Sequence, residues 1–501
     1  MKLLILLLTV SCVLSARVED DYVVNTRRFP ADFKFGTASA AYQIEGGWDA
    51  DGKGENIWDR STHLYPEKNA NATGDIASDS YHKWAEDVEL LKGLGVSTYR
   101  FSIAWSRVLP NGFANEPNLA GVEYYKNLIA ALKENGIEPL VTMHHWDLPT
   151  ALEDLGGFIN PEIQTWFVDY ARFLFQTFGD DVKEWITFNE PKQTCEQGYG
   201  IGILAPNVVD PGVKNYQCGH NLIIAHGKAY RMYDEEFRET QNGRVTMVVD
   251  SNWFEPASDS EEDIEAAERY LLFTYGWFAH PIVFGDYPDV MKERIAMRSE
   301  LEGFSSSRLP SFTEEEQQII KGTVDFMTVN IYTSSVAQAI PEPEIVHLQP
   351  TRDLDIGVNV VPWGARKLVK WISDTYGHPE IMVTENGYHD DGTVIHDLET
   401  RGRYYKVLEI LSFGLHSNSY LHVQLYLSNL LDALYLDDVN LTGYMAWALT
   451  DDFEWQYGYT IQLGLYHVEF SDPDRPRTAK DSSAYYRQVV TTRCLVDECT
   501  D

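Results

Sequence analysis

Two glutamates stand out because each closes an apolar run. Thr187-Phe-Asn-Glu-Pro191 places Glu190 at the end of one run, and Val383-Thr-Glu-Asn-Gly387 places Glu385 at the end of another. Two such carboxyl groups are what hydrolysis of a glycosidic bond needs. One protonates the leaving oxygen while the other attacks the anomeric carbon. A single glutamate in this position is ordinarily a solvated loop acid, but two at matching strand ends are harder to dismiss. They lie 195 residues apart, so only a closed architecture brings them face to face.

The elements that would position them recur along the whole chain. Short apolar runs ending in polar residues occupy 33–43, 97–105, 138–146, 184–191, 244–254, 323–333, 380–388 and 441–451. Between them, helical periodicity occupies 79–94, 121–135, 163–178, 217–238, 264–284 and 404–434. Alternating strands and helices imply a parallel sheet. Eight repeats predict an α/β fold of one closed (β/α)8 TIM barrel with long βα loops, rather than an open doubly wound sheet. No Pro/Ser-rich linker divides the chain, so residues 16–501 read as one domain. In such a barrel the working groups gather at the C-terminal ends of the strands.

Charge narrows the partners. The 501 residues carry 76 acidic against 40 basic side chains, a formal charge of −36. Phosphate-tracking proteins need a surplus of Lys and Arg, and anionic lipid attracts the same surplus. The expected partner is therefore a small molecule, not a nucleic acid or a membrane. A homodimer is compatible with the sequence, which does not fix an oligomeric state.

Residues 1–15 open with Met1-Lys2, continue as a twelve-residue apolar run and end in small residues, with Val13 and Ser15 before a cut at Ala16. The run is too short to span a bilayer and reads as a cleaved secretory signal. The expected protein is secreted and extracellular. Cys195, Cys218, Cys494 and Cys499 then remain in an oxidising compartment. Four cysteines allow three pairings; Cys195–Cys218 with Cys494–Cys499 closes short loops. Their spacing matches no zinc pattern, so no metal site is expected. Asn71-Ala-Thr73 and Asn440-Leu-Thr442 are glycosylation sequons. Asn71 lies in a polar stretch, whereas Asn440 opens an apparent strand and is expected to be more enclosed. His220 and His226 are six apart on a helical pattern, hence on different faces, and read as structural.

Several further motifs follow in order: 33–45 (FKFGTASAAYQIE), Tyr99-Arg-Phe-Ser-Ile-Ala-Trp-Ser-Arg107, His145-Trp-Asp-Leu-Pro149, the two glutamate motifs above, and Asp452-Phe-Glu-Trp455. In these the chain resembles glycoside hydrolase family 1, the retaining β-glucosidase-like enzymes, especially secreted animal β-glucosidases and myrosinases. The resemblance runs from residue 33 to about residue 486. It implies a β-glucosidase working by double displacement without a cofactor. Glu190 would be the general acid/base and Glu385 the nucleophile. Arg100 and Tyr332, the latter in Asn330-Ile-Tyr-Thr333, would flank Glu385. Gln43, His145, Asn189, Glu454 and Trp455 would hold the nonreducing sugar, Trp447 would lie under its ring, and Trp146 would support the same pocket.

Three departures bear on this expectation. Ile461, Gln462 and Leu463 stand where the family usually has an acid, a basic residue and an aromatic. Lys192 stands where an apolar or aromatic residue is commoner; the cation either faces the leaving-group mouth or points to solvent. Residues 407–424 interrupt the last long helical pattern, and deleting them restores one amphipathic helix. The stretch begins with Val407 (codons starting GT) and ends with Gln424 (a codon that can end in AG), which are intron borders. A retained intron and a genuine insertion are both open. The competing activity is that of a thioglucosidase (myrosinase) cleaving sulfated glucosinolates, for which Lys192 is the one nearby cation and Glu196 a repulsive anion. A catalytically silent sugar-binding protein is a further alternative, opposed by the intact Glu190, Glu385, Arg100 and Tyr332.

Overall fold

The computed structural model describes residues 24–340, 354–359, 362–390 and 421–500. Eight parallel strands close into a barrel: β1 (Lys34–Ala38), β2 (Thr98–Ser102), β3 (Glu138–His144), β4 (Glu184–Asn189), β5 (Arg244–Asp250), β6 (Met327–Asn330), β7 (Ile381–Asn386) and β8 (Leu441–Trp447). Each strand pairs with its neighbours in sequence, and β1 closes on β8 with Ala38 opposite Trp447. All eight expected runs are strands. The first is shorter than expected, because a single helical turn at Ala41–Ile44 follows β1 directly.

Eight helices return the chain: α1 (Ser80–Leu94), α2 (Leu119–Glu134), α3 (Ile163–Phe178), α4 (Lys214–Glu236), α5 (Glu261–Phe284), α6 (Trp363–Thr375), α7 (Leu421–Leu436) and α8 (Asp481–Thr492). The reading of periodicity passed over α6 and α8. The described part of the last long helical pattern is α7; the interruption at 407–424 lies outside the described residues except for its final positions, as does the segment 1–15.

Packing follows from residue spacing. On α3, Ile163, Phe167, Tyr170, Ala171, Leu174, Phe175 and Phe178 recur at three- and four-residue intervals, and all are buried. That stripe meets the barrel: Phe167 stacks on Phe188 of β4 with ring centroids 4.1 Å apart, and Tyr170 on Trp105, in the helical turn after β2, at 4.2 Å. The βα5 and βα6 loops build a small sheet from Trp253–Pro256, Ser334–Gln338 and Leu354–Asn359.

The expected cysteine pairs form. Cys195–Cys218 ties the segment behind Glu190 to α4, and Cys494–Cys499 closes the C-terminal turn. Asn71 is exposed. So is Asn440, contrary to the expectation that it is enclosed: it lies just before β8, in the turn after α7 rather than within the strand. His226 is buried against Thr187 and the Thr323 carbonyl, and His220 stacks on Phe312, so both serve packing. Among the described residues no helix is long and apolar enough to cross a membrane.

Candidate active site

The two glutamates emerge where the ladder breaks register. The pairing of β4 with β5 shifts between Ile186 and Asn189, and that of β7 with β6 shifts between Val383 and Glu385. Such irregularities re-aim the side chains that follow. Glu190 sits in the left-handed region at φ 45°, held by its N–H donating to the Val248 carbonyl at 2.9 Å. Trp146 at φ 73° and Trp455 at φ 49° share that conformation. Each costs of order 1–3 kcal/mol, which the surrounding packing must offset. Behind Glu385, Gly387 is required for a different reason: a Cβ there would lie 2.1 Å from the Trp447 carbonyl oxygen.

Glu385 is held at both oxygens. Arg100 Nη1 donates to Oε1 at 2.6 Å, and the Tyr332 hydroxyl donates to Oε2 at 2.6 Å. Arg100 is itself buried; its Nη2 donates to Asn189 Oδ1 at 2.6 Å and its Nε to Thr142 Oγ1 at 3.3 Å. Glu190 Oε1 accepts from Asn330 Nδ2 at 2.7 Å. The same Asn330 amide reaches Asn189 Oδ1 at 3.1 Å, and its own oxygen accepts from Thr384 at 2.7 Å. One continuous network therefore links both carboxyl groups through Asn189, Asn330 and Arg100.

Their electrostatics differ. Burial pushes Glu190 well above the ordinary carboxyl value, and the carboxylates of Asp250 and Glu385 push the same way, against Asn330 and Lys192. Burial also raises Glu385, but the Arg100 charge and the Tyr332 hydroxyl pull against it. Glu190 is therefore pushed further up than Glu385, which has the Arg100 charge and the Tyr332 hydroxyl on its oxygens. Burial holds Tyr332 protonated and His145 neutral. Since Asn189 Oδ1 already accepts two donors, its Nδ2 donates to His145 Nε2 at 2.9 Å, which leaves the ring proton on Nδ1.

The cavity above these groups holds about 210 Å3 and is lined by His145, Trp146, Glu190, Tyr332, Glu385, His389, Trp447, Glu454, Trp455, Ile461 and Leu463. Its aromatic side is continuous: His145 stacks beside Trp447 with centroids 5.6 Å apart, and Trp146 lies 4.6 Å from Trp455. Trp146 Nε1 donates to the Asn189 carbonyl at 3.1 Å. At one end Gln43 Nε2 donates to the Phe453 carbonyl at 3.0 Å and reaches Glu454 Oε2 at 3.2 Å and Asp452 Oδ1 at 3.3 Å. Burial and the Glu385 charge raise Glu454 to about 7, opposed by Asp452 and Gln43. Flat apolar rings beside ordered polar groups suit a pyranose, whose faces are apolar and whose edges carry hydroxyls.

All eleven expected site residues enter this assembly. Of the departures, Ile461 and Leu463 line the cavity, whereas Gln462 Oε1 accepts from the Asp452 N–H at 2.8 Å. Lys192 differs from both expectations. Its Nζ lies 2.8 Å from Asp250 Oδ2 and its side chain is 11% exposed, so it is neither in solvent nor an open cation at the mouth. Sequence reasoning passed over Asn330, although it begins the quoted Tyr332 motif, and also Asp250, His389 and Lys480. Fully buried Lys480 Nζ joins Asp390 Oδ2 and Asp451 Oδ1, each at 2.7 Å, and so ties the βα7 and βα8 loops to the start of α8. Among the described residues no cluster of three His, Cys, Asp or Glu side chains could hold a metal ion.

Comparison with known proteins agrees with this site. The model of glycosyl hydrolase family 1 matches residues 25–494. Myrosinase 1 of Brevicoryne brassicae is 46% identical over 480 residues, covering 93% of this chain and 99% of that protein. A cytosolic beta-glucosidase of Cavia porcellus is 43% identical over 482 residues, covering 93% and 99%. Among solved structures, that of an aphid myrosinase superimposes with a TM-score of 0.84 at 44% identity, covering 93% of this chain and 99% of that one. A barrel with this pair of carboxyls, matched over nearly its full length, makes the chain a glycoside hydrolase belonging to glycosyl hydrolase family 1.

Proposed function

We propose that the chain is a retaining β-glucosidase that removes terminal β-D-glucosyl residues from small glucosides. The observation that carries this reading is the asymmetry of the two carboxyl groups. Glu385, held by Arg100 and Tyr332, is kept available as a carboxylate, and Glu190, buried between carboxylates, keeps its proton. In the first step a Glu385 oxygen bonds to the anomeric carbon as the glycosidic C–O bond breaks, and the Glu190 proton passes to the departing oxygen. In the second, ionised Glu190 takes a proton from water, whose oxygen attacks the same carbon and releases Glu385. In this reading Asn189, His145, Gln43 and Glu454 bind sugar hydroxyls, and Trp447 lies under the ring.

The test is covalent. A 2-deoxy-2-fluoro-β-glucoside with a good leaving group should inactivate the enzyme and leave its mass on the peptide containing Glu385. A label on another residue overturns the assignment.

Similarity to a myrosinase favours a second reading, cleavage of a thioglucoside. Against it stands the Lys192–Asp250 pair, which leaves the expected sulfate-binding cation already neutralised. Turnover of an aryl β-glucoside well above that of a glucosinolate is expected; the reverse ranking selects the thioglucosidase. We also infer secretion, supported by the signal-like residues 1–15, the two disulfides and the exposed Asn71 sequon. Expression in a secreting eukaryotic cell should yield medium-borne protein whose mass falls on deglycosylation.

A further inference from the structure

Asp250 ends β5, and Lys192 lies two residues beyond Glu190. Lys192 Nζ is 2.8 Å from Asp250 Oδ2, and Gln193 Nε2 donates to the same oxygen at 2.8 Å. Each side chain of the ion pair is 11% exposed, and Asp250 Oδ1 is buried with no hydrogen-bond partner. A buried carboxylate satisfied on one side only is expensive, and its cation offsets that cost.

The topology puts this charge beside the acid. The Glu190 N–H bonds the Val248 carbonyl, two residues before Asp250 on the same strand. Asp250 pairs in register with Asn330, whose amide donates to Glu190 Oε1. Glu190 thus feels two carboxylates, Glu385 from β7 and Asp250 from β5. Arg100 offsets the first and Lys192 the second. We propose that the Lys192–Asp250 pair is a positioning element of the acid/base, and that it sets the upper pH limit of catalysis by holding a fixed negative charge beside Glu190.

The remaining charges around Glu190 are accounted for. Glu385 is paired with Arg100 of β2, and Tyr332, after β6, is held protonated. His145, after β3, is neutral, and Glu454 lines the same cavity and interacts with Glu385. Lys192 approaches from the loop of Glu190 itself. Asp250 acts on Glu190 more strongly than Lys192 does, so the pair's net effect is to retain the proton. Either member alone would act in the opposite sense to the other.

The inference rests on reading Glu190 as the acid/base, and the two can fail separately. Glu190→Gln must first lose activity on a glucoside with a poor leaving group and regain turnover of an activated aryl glucoside with added azide. Activity that survives Glu190→Gln overturns that reading itself. Where it holds, the basic limb of kcat/KM against pH is compared among full-length variants. Asp250→Asn removes a neighbouring negative charge and moves the limb down by about one pH unit; Lys192→Met removes the cation and moves it up. Limbs that stay in place, or that move the same way in both variants, overturn the proposal. Asp250→Ser and Lys192→Gln carry the same signs and replace either variant that does not fold.

Discussion

The ends of β4 and β7 carry the same side chain in opposite settings. At β7, Glu385 meets a buried guanidinium and a phenol, one on each oxygen. At β4, Glu190 meets one neutral amide, with two carboxylates nearby. Both groups are buried, so burial alone cannot assign their roles. The number and charge of the donors separates them, as the proposed nucleophile and acid of one barrel require at one pH.

The widest gap should appear when each acid is replaced by its amide. Glu385→Gln removes the nucleophile and should lower kcat/KM for an aryl β-glucoside by about 10^5-fold. Glu190→Gln should cost about 10^2–10^4-fold, least for glucosides whose leaving group needs no proton. Equal losses on every leaving group would erase the distinction between the two ends. A narrower probe is Tyr332→Phe. Losing one donor to a charged group costs about 1.5–3 kcal/mol, or roughly 10- to 150-fold in kcat/KM. It should also raise the acid limb of the pH profile and leave the basic limb in place, because the lost donor stabilised only the Glu385 carboxylate. Movement of the basic limb instead would mean that Tyr332 serves Glu190.

The mildest test uses the unaltered enzyme. Activity should rise as pH climbs through the value of Glu385, which must be ionised. It should fall as pH passes that of Glu190, which must carry its proton. Both carboxyls are raised, so both limbs should lie above the ordinary glutamate value of 4.5. An acid limb at or below that value would show that Arg100 and Tyr332 outweigh burial.

Much of this was legible before any fold was known. The eight strands were legible because short apolar runs bounded by turn residues announce themselves locally. Two helices were not: α8 (Asp481–Thr492) buries Ser482, Ser483, Tyr485 and Tyr486 where a simple apolar stripe is sought, whereas α6 (Trp363–Thr375) does carry such a stripe, in Ala365, Leu368, Val369 and Ile372, and was passed over. Glu190 and Glu385 were visible because they end strands. Asn330 also ends a strand, but an asparagine shows its importance only through its partners, here Asn189, Glu190 and Thr384.

The sequence by itself determined the barrel and the two acids at its strand ends, since periodicity and local motifs are properties of contiguous residues; the residues around the acids came from resemblance to a family. Tertiary structure alone decided what surrounds each acid and whether Lys192 is an open cation. Those outcomes depend on charges from β2, β5 and β7 meeting out of water, at separations that linear spacing does not encode.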